Sequence, residues 1–492
     1  MMFASYTEVF SFGGLLWVLL GSMIGIFVGA IPGLSGAMVI ALALPATYFM
    51  NAYDALILLI AIYIGSTTGG LVSATLMRMP GTEAAIMTTL DGYPMAQRGE
   101  PARALGLGVG ASFLGGMLAW VVLATLSPAL SRFAVQFGPY EIFSMTLVAL
   151  VLIAAISKDG FTNGLIAAAL GALFALPGID PVSGSLRLTF GLTSLDNGFT
   201  LLPVMLGLLV LSQVFLEVGD KANTKTEKVS TSAKIAFKVK DFKDNGWNLT
   251  RSSIIGTWIG ILPGIGGTTA SIASYGVAKA TSKNSDQFGN GASEGIVAAE
   301  SANNAAAVGA LVPLITLGIP GSVITAMLLG AMVIHDLNPG PLLFVQTPEV
   351  AHVIIAGALA ANLLVLVVMW FSTPLLAKLM YVNKSYLLPP IVIFCFIGSY
   401  SVSANMFDVV VMMGFSVLGY LLNKAKIPIG PFIIAFILTP LAESSLRSGL
   451  VVYGDSFLPL LTRPISLFFI AIAVLTLFMV ALSNFKKNRL TN

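Results

Sequence analysis

This chain carries few of the side chains that do covalent or metal chemistry. One cysteine, Cys395, stands among 492 residues. It lies in an apolar run, which excludes an internal disulfide and argues against a thiolate metal site. The two histidines, His335 and His352, border a Pro-Gly-rich segment, Asn338-Pro339-Gly340-Pro341. They read as loop residues rather than ligands. Only 10% of residues are charged, and the net charge is +3. That balance says little about partners, and no nucleic-acid partner is expected. No phosphate-cradling P-loop, H-E-x-x-H or Ser/His arrangement is present. A membrane enzyme acting on lipid or polyprenyl substrates would gather acids, histidines or metal ligands at the interface. Here the acids are scattered, and no catalytic residue is expected.

What is abundant is apolar sequence. The chain is 57% hydrophobic, with a mean hydropathy of +0.92. Runs long enough to cross a bilayer, which takes roughly 20 residues, lie at 103–127, 138–156, 198–216, 353–371 and 464–483. The first apolar segment has no Lys or Arg before it and no clear small-residue cleavage site. It reads as a retained span rather than a signal peptide. The expected class is an all-α polytopic membrane protein with roughly 11–14 membrane segments, some half-length or re-entrant.

One polar segment, roughly Glu217 to Arg251, divides the chain. It holds Lys221, Lys225, Lys228, Lys234, Lys238, Lys240 and Lys243. The Lys excess places it in the cytoplasm, as the tail Lys486-Lys487-Asn488-Arg489 does the C-terminus. Residues 1–11 carry no Lys or Arg, which puts the N-terminus outside. The expected division is a first membrane repeat over 1–217, a cytoplasmic linker over 218–250, and a second repeat with a C-terminal helix over 251–492. The halves would then have inverted topology, an arrangement that lets a carrier alternate between outward and inward states. Asn248-Leu249-Thr250 matches a glycosylation sequon, which is without consequence in a cytoplasmic loop.

The division into repeats rests on a duplicated pattern. Gly25-Ile-Phe-Val-Gly29-Ala-Ile-Pro32-Gly33-Leu-Ser-Gly36 recurs 231 residues later as Gly256-Thr-Trp-Ile-Gly260-Ile-Leu-Pro263-Gly264-Ile-Gly-Gly267. From the Gly and Pro content, a given register matches by chance roughly five times in a million. A second pair follows: Met79-Pro80-Gly81-Thr82 and Ile319-Pro320-Gly321-Ser322. Pro-Gly breaks a helix, and a helix broken within a membrane is costly unless it lines a site. The half-helix after the break begins with unpaired N–H groups that favour an anion. The carbonyls before it, with nearby hydroxyls and amides, suit a small cation.

The bland reading of each G-x-x-x-G is close helix packing. It leaves the Pro-Gly, its repetition and the adjacent hydroxyls unexplained. Candidate substrate contacts are therefore Pro32, Gly33, Ser35, Gly36, Gly81, Thr82, Pro263, Gly264, Gly267, Thr268, Thr269, Gly321 and Ser322. For the hydroxyls among them, capping of half-helices is the alternative. Candidate coupling-ion residues are Thr67, Thr68, Glu300, Asn303 and Asn304. Glu300 lies three and four residues before the two amides, so all three project to neighbouring sides of one helix. Such a set could bind Na+, or the carboxyl could titrate in a proton-coupled cycle; helix–helix hydrogen bonding is the plainer role. No metal beyond Na+ is implied, and no cofactor. Arg78 has no counterpart, since Gly318 stands at the equivalent place, and reads as an interfacial anchor. Asp91-Gly92-Tyr93-Pro94 has the composition of a loop turn. Glu443 and Arg447, spaced i, i+4, suit a structural pair.

These motifs resemble the large membrane subunit of the bacterial tripartite tricarboxylate transporters. The matching residues are Gly29-Ala-Ile-Pro-Gly-Leu-Ser-Gly36, Pro80-Gly81-Thr82 with Asp91-Gly92-Tyr93-Pro94, and Leu262-Pro-Gly-Ile-Gly-Gly267. With them go Gly291-Ala-Ser-Glu294-Gly295, Glu300-Ser-Ala-Asn303-Asn304-Ala-Ala-Ala and Leu317-Gly-Ile-Pro-Gly-Ser322. The resemblance runs from about residue 10 to Arg447. It implies a permease in the bacterial inner membrane that works with a small membrane subunit and a periplasmic substrate-binding protein. It also implies import of carboxylates such as citrate by Na+ or H+ symport. The alternative is a stand-alone carboxylate carrier or channel needing no binding protein.

Overall fold

The computed structural model describes residues 2–157, 160–180, 183–219, 235–236, 239–379, 386–401 and 403–491. Among them, seven helices are long and apolar enough to cross a membrane, and six more are apolar but shorter. The protein is an all-α polytopic membrane protein, and the two groups together fall within the expected 11–14 segments. One two-residue antiparallel pairing, Gly178–Ile179 with Leu186–Arg187, interrupts the helices.

The chain folds into two compact units. One comprises Met1–Ser131 and Asp220–Phe394, the other Arg132–Gly219 and Cys395–Asn492. Each sequence half thus gives its first part to one unit and its last part to the other.

In the first unit we label, in chain order, α1 Phe12–Gly29, α2 Gly36–Thr47, α3 Ala52–Met77, α4 Thr88–Gln97 and α5 Pro101–Ala134. There follow α6 Gly246–Ile261, α7 Gly266–Thr281, α8 Ser293–Gly309, α9 Val323–Ile334 and α10 Pro348–Leu379. Two helices are interior: α3 is buried from Ala55 to Leu76, and α8 from Gly295 to Gly309. Their surroundings explain the glycine pattern. A Cβ at Gly25 or Gly29 of α1 would strike the carbonyls of Ile62 and Ser66 on α3. At Gly256 or Gly260 of α6 it would strike those of Ala302 and Ala306 on α8. Without side chains at these positions the paired backbones can approach closely. The contact runs both ways, because Gly69 abuts the Ile26 carbonyl and Gly309 that of Thr257.

The polar segment departs from a plain linker. Residues 220–234 and 237–238, which carry Lys221, Lys225, Lys228, Lys234 and Lys238, lie outside the described residues. After them, Val239–Asp244 is helical and α6 begins at Gly246, ahead of the expected boundary at 251. Asn248 of the sequon sits within α6, where its Nδ2 donates to the Glu294 carbonyl at 2.9 Å. His352 lies inside α10 rather than in a loop.

The second unit contains the helices Pro139–Ala155, Phe161–Phe174, Met406–Lys424, Ile429–Val452 and Pro464–Thr491. Gly171 abuts the carbonyl of Phe432, and the rings of Phe174, Phe199, Phe415 and Phe432 pack together. Glu443 and Arg447 do pair, at 2.9 Å, within a larger set. Arg187 grips Glu443 with both terminal nitrogens, and Arg447 reaches Asp180 at 2.8 Å. Cys395 is buried.

Candidate functional site

All the candidate substrate and coupling-ion residues belong to the first unit. The Pro-Gly breaks fall where α1 gives way to α2 and α6 to α7. Gly33, Gly264 and Gly266 adopt positive φ values of 95°, 76° and 70°, backbone that glycine enters without a Cβ penalty. The 12 residues of α2, 16 of α7 and 12 of α9 are each too few to cross a bilayer alone.

The second Pro-Gly pair follows the interior helices. Arg78 caps α3 at φ 56°, and Gly318 caps the helix Leu311–Leu317 at φ 69°. Both are left-handed. Arg78 therefore fits the repeat in backbone, although its side chain hides this in the sequence.

These turns meet. A Cβ at Gly81 would strike the carbonyl of Gly29, and one at Gly321 would lie 2.7 Å from that of Gly260. Gly264 N donates to Gly321 O at 3.0 Å. The halves also cross reciprocally. A Cβ at Gly36, at the start of α2, would lie 3.2 Å from Ile324, just after Ser322, and one at Gly267, at the start of α7, would lie 3.5 Å from Ala84, just after Thr82. Four turns from two sequence halves thus form one junction. Ser35, Thr82, Thr268, Thr269 and Ser322 are all half-buried there, whereas Pro32, Gly36, Gly81 and Gly321 are buried.

Two of the hydroxyls act as caps. Ser35 Oγ accepts from Met38 N at 3.2 Å, starting α2, and Ser322 Oγ accepts from Thr325 N at 3.2 Å, starting α9. Thr82 precedes the short 3-10 turn Glu83–Ile86 and makes no capping bond.

Beside the junction lies the polar cluster of α8. Glu300 is fully buried, and its two carboxyl oxygens accept from different elements: Oε1 from Thr88 Oγ1 of α4, and Oε2 from Ser112 Oγ of α5 at 3.1 Å. Thr68 Oγ1 donates to Asn304 Oδ1 at 2.8 Å, tying α3 to α8. Asn304 Nδ2 in turn reaches the Glu300 carbonyl at 3.4 Å. Thr67 stands apart, donating to the Tyr63 carbonyl at 2.9 Å within its own helix. Asn303 lies beside the Glu300 carboxyl, yet its Nδ2 completes no hydrogen bond. A carboxyl at this depth is tolerable only when its oxygens are satisfied, which Thr88 and Ser112 achieve. Sequence reasoning missed both donors, which are spaced 212 and 188 residues from Glu300.

Asp91 is a correction. It lies in α4, not in a turn, and is fully buried. Its Oδ1 accepts from the backbone N–H of Gly289, Gly291 and Ala292 at 2.8–2.9 Å, and its Oδ2 from Tyr275 Oη at 2.8 Å. Gly289 and Gly291 have φ values of 88° and 95°, which aim successive N–H groups at one oxygen. Gly92 packs against Thr75 rather than making a turn. The Gly291-Ala-Ser-Glu-Gly295 motif is thus the strap that holds the entrance of α8 to α4. Arg98 tightens it by donating to the Gly291 carbonyl at 2.8 Å.

Comparison with known proteins agrees with this architecture. The Tripartite tricarboxylate transporter TctA family matches residues 15–434. An uncharacterized 52.8 kDa protein of Agrobacterium vitis, from the TAR-I ttuC' 3'region, is 31% identical over 475 residues, covering 96% of this chain and 94% of that one. A second uncharacterized protein of the same organism, from the TAR-II ttuC' 3'region, is 36% identical over 234 residues, covering 48% of this chain and 97% of that one. No solved structure matches. The matched range contains both Pro-Gly pairs and the Glu300–Asn304 helix, and the chain belongs to the tripartite tricarboxylate transporter TctA family.

Proposed function

We propose that this protein is the permease subunit of a binding-protein-dependent secondary transporter in the bacterial inner membrane. It imports tricarboxylates such as citrate, or related organic acids, by Na+ or H+ symport, and it is not an enzyme. The observation that carries this reading is the junction of four Pro-Gly turns, in a chain of the TctA family. Short helices starting at such a junction offer N–H groups and a positive dipole end to a carboxylate. The apolar spans hold few Lys or Arg to neutralise a polyanion, so helix ends and a co-transported cation take that part. The buried Glu300, with Thr68 and Asn304 beside it, is the proposed coupling site, because an ionisable group at such depth is retained for transport work. The two halves act as inverted-topology repeats. Periplasmic delivery of the acid by a binding protein, and support from a small membrane subunit, complete the system.

Proteoliposomes containing the chain, with the small subunit and binding protein supplied, test this directly. Citrate should accumulate only when a Na+ or a pH gradient is imposed, and imposing them separately names the ion. Accumulation should not need ATP. Passive equilibration of citrate through the chain alone would support the stand-alone carrier or channel instead.

A further inference from the structure

One span of the second unit is not α-helical throughout. Leu201–Met205 and Ser212–Gly219 are α-helical, but Leu206–Leu211 between them is a π-helix, the one such stretch among the described residues. Together they make a single apolar span, Leu201–Val218. A π turn is closed by hydrogen bonds five residues apart instead of four, so it holds extra chain. Such turns are rare and recur at functional positions. Proline does not cause this one. Pro203 stands in the first turn, where its missing N–H has no intrahelical partner to lose.

Ser212 shows how the wide turn is kept. Its N–H donates to the Gly207 carbonyl, five residues back. In an α-helix the same N–H would serve Leu208, four residues back. The Leu208 carbonyl takes the Ser212 hydroxyl instead. One residue can therefore satisfy this carbonyl in either register, by its N–H when the turn is closed or by its side chain when it is wide. A bare carbonyl within a membrane span is costly, so the hydroxyl makes the wide form tenable.

The facing helix, Met406–Lys424, is shaped for the turn. A Cβ at Gly207 would lie 2.4 Å from the Met412 carbonyl, and one at Gly419 would lie 3.1 Å from both Leu208 O and Ser212 Oγ. Glycine at both places gives the seam a smooth floor. The two ends of the span are held differently. At the start, Thr200 Oγ1 donates to the buried Asp408 Oδ1 at 2.9 Å, and Phe199 packs on Phe174 and Phe415. At the far end Phe215 and Val218 are exposed, and the chain leaves this unit after Gly219.

We propose that the π turn is a register switch used in the transport cycle. Closing it to α turns Ser212–Gly219 by about 100° and moves it by about 1.5 Å against Met406–Lys424, while the Thr200 end stays anchored. Ser212 is the positioning residue that lets both registers exist. The inference rests on the carboxylate-carrier reading for the cycle it serves.

The test is citrate uptake by proteoliposomes supplied with the small subunit and binding protein, alongside melting of the purified full chain. Deletion of Leu209 takes the extra residue out of the turn. It should lower the maximal uptake rate about tenfold or more, with the citrate KM and the melting temperature unchanged. Ser212→Ala strips the Leu208 carbonyl of its partner in the wide register only, and should lower the rate about threefold or more at the same KM. Gly414→Ala, on the facing helix where a Cβ meets nothing within 4 Å, should change the rate by less than about twofold. Ser212→Ala keeps the chain length, so the switch stays testable if the deletion folds poorly. Wild-type rates in both variants would overturn the inference and leave the carrier reading standing. A deletion that lowers melting and uptake together, with Ser212→Ala inert, would also overturn it, since the turn would then serve packing alone. If the wild-type chain takes up no citrate under either ion gradient, the carrier reading falls and this inference with it.

Discussion

At the scale of single residues, Asp91 has the heaviest structural duty outside the proposed site. One of its oxygens serves three backbone N–H groups, and the other accepts from Tyr275. Asp91→Ala would leave these donors buried without a partner, at a cost of roughly 3 kcal/mol or more. Asp91→Asn keeps one oxygen for the three N–H groups and should lose less. Melting temperatures of the purified variants in detergent would check the order wild type, Asn, Ala; an unchanged Asp91→Ala protein would contradict it. The residue also marks a limit of what sequence can reveal. Asp-Gly-x-Pro has the composition of a turn, and nothing local announces that its acceptors serve a loop about 200 residues away. By contrast Glu300, Asn303 and Asn304 were legible as one cluster, since i, i+3 and i+4 spacing fixes their common side. Their division was not legible, because Thr68, Thr88 and Ser112 come from three other helices.

At the scale of elements, the glycine pattern was largely readable and the reason is simple. A small residue every fourth position aligns on one helix face, and Pro-Gly stops the helix. The chain does both, twice. What the sequence left open was the partner, and the structure assigns α3 to α1 and α8 to α6. The Gly318 correspondence to Arg78 was hidden because a left-handed cap can be met by glycine freely or by arginine at a small cost. Gly260→Leu should therefore be far worse than a surface change. Its side chain would enter the Ala306 backbone and force α6 from α8, costing at least about 1–3 kcal/mol. Gly276→Ala in the adjacent α7 meets nothing within 4 Å, and should be neutral or stabilising by up to about 1 kcal/mol. Monodisperse yield after extraction from membranes would compare the two; similar yields would refute the close-packing role.

At the scale of the whole molecule, the two spatial units do not follow the two sequence halves. Residues from the first part of each half make the junction, and the last parts form a unit held by its own aromatic core and by the Asp180, Arg187, Glu443 and Arg447 ion set. The expected boundary between the sequence halves rests on a run of lysines. The spatial division was not, because apolar helices that pack together and apolar helices that face lipid have the same composition. Duplication supplies two copies of every cradle, and a carrier built that way could take up two anions side by side. Ser322 has a bearing on that arithmetic, because its hydroxyl is already spent on capping α9, whereas Thr82 makes no capping bond. With one copy engaged by the protein's own bonds, the proposed carrier is expected to load a single acid per cycle. Calorimetric titration with citrate should accordingly give a stoichiometry of about one, not two, per chain. Under the proposed symport, the number of cations moved with each acid would fix whether the cycle carries net charge across the membrane.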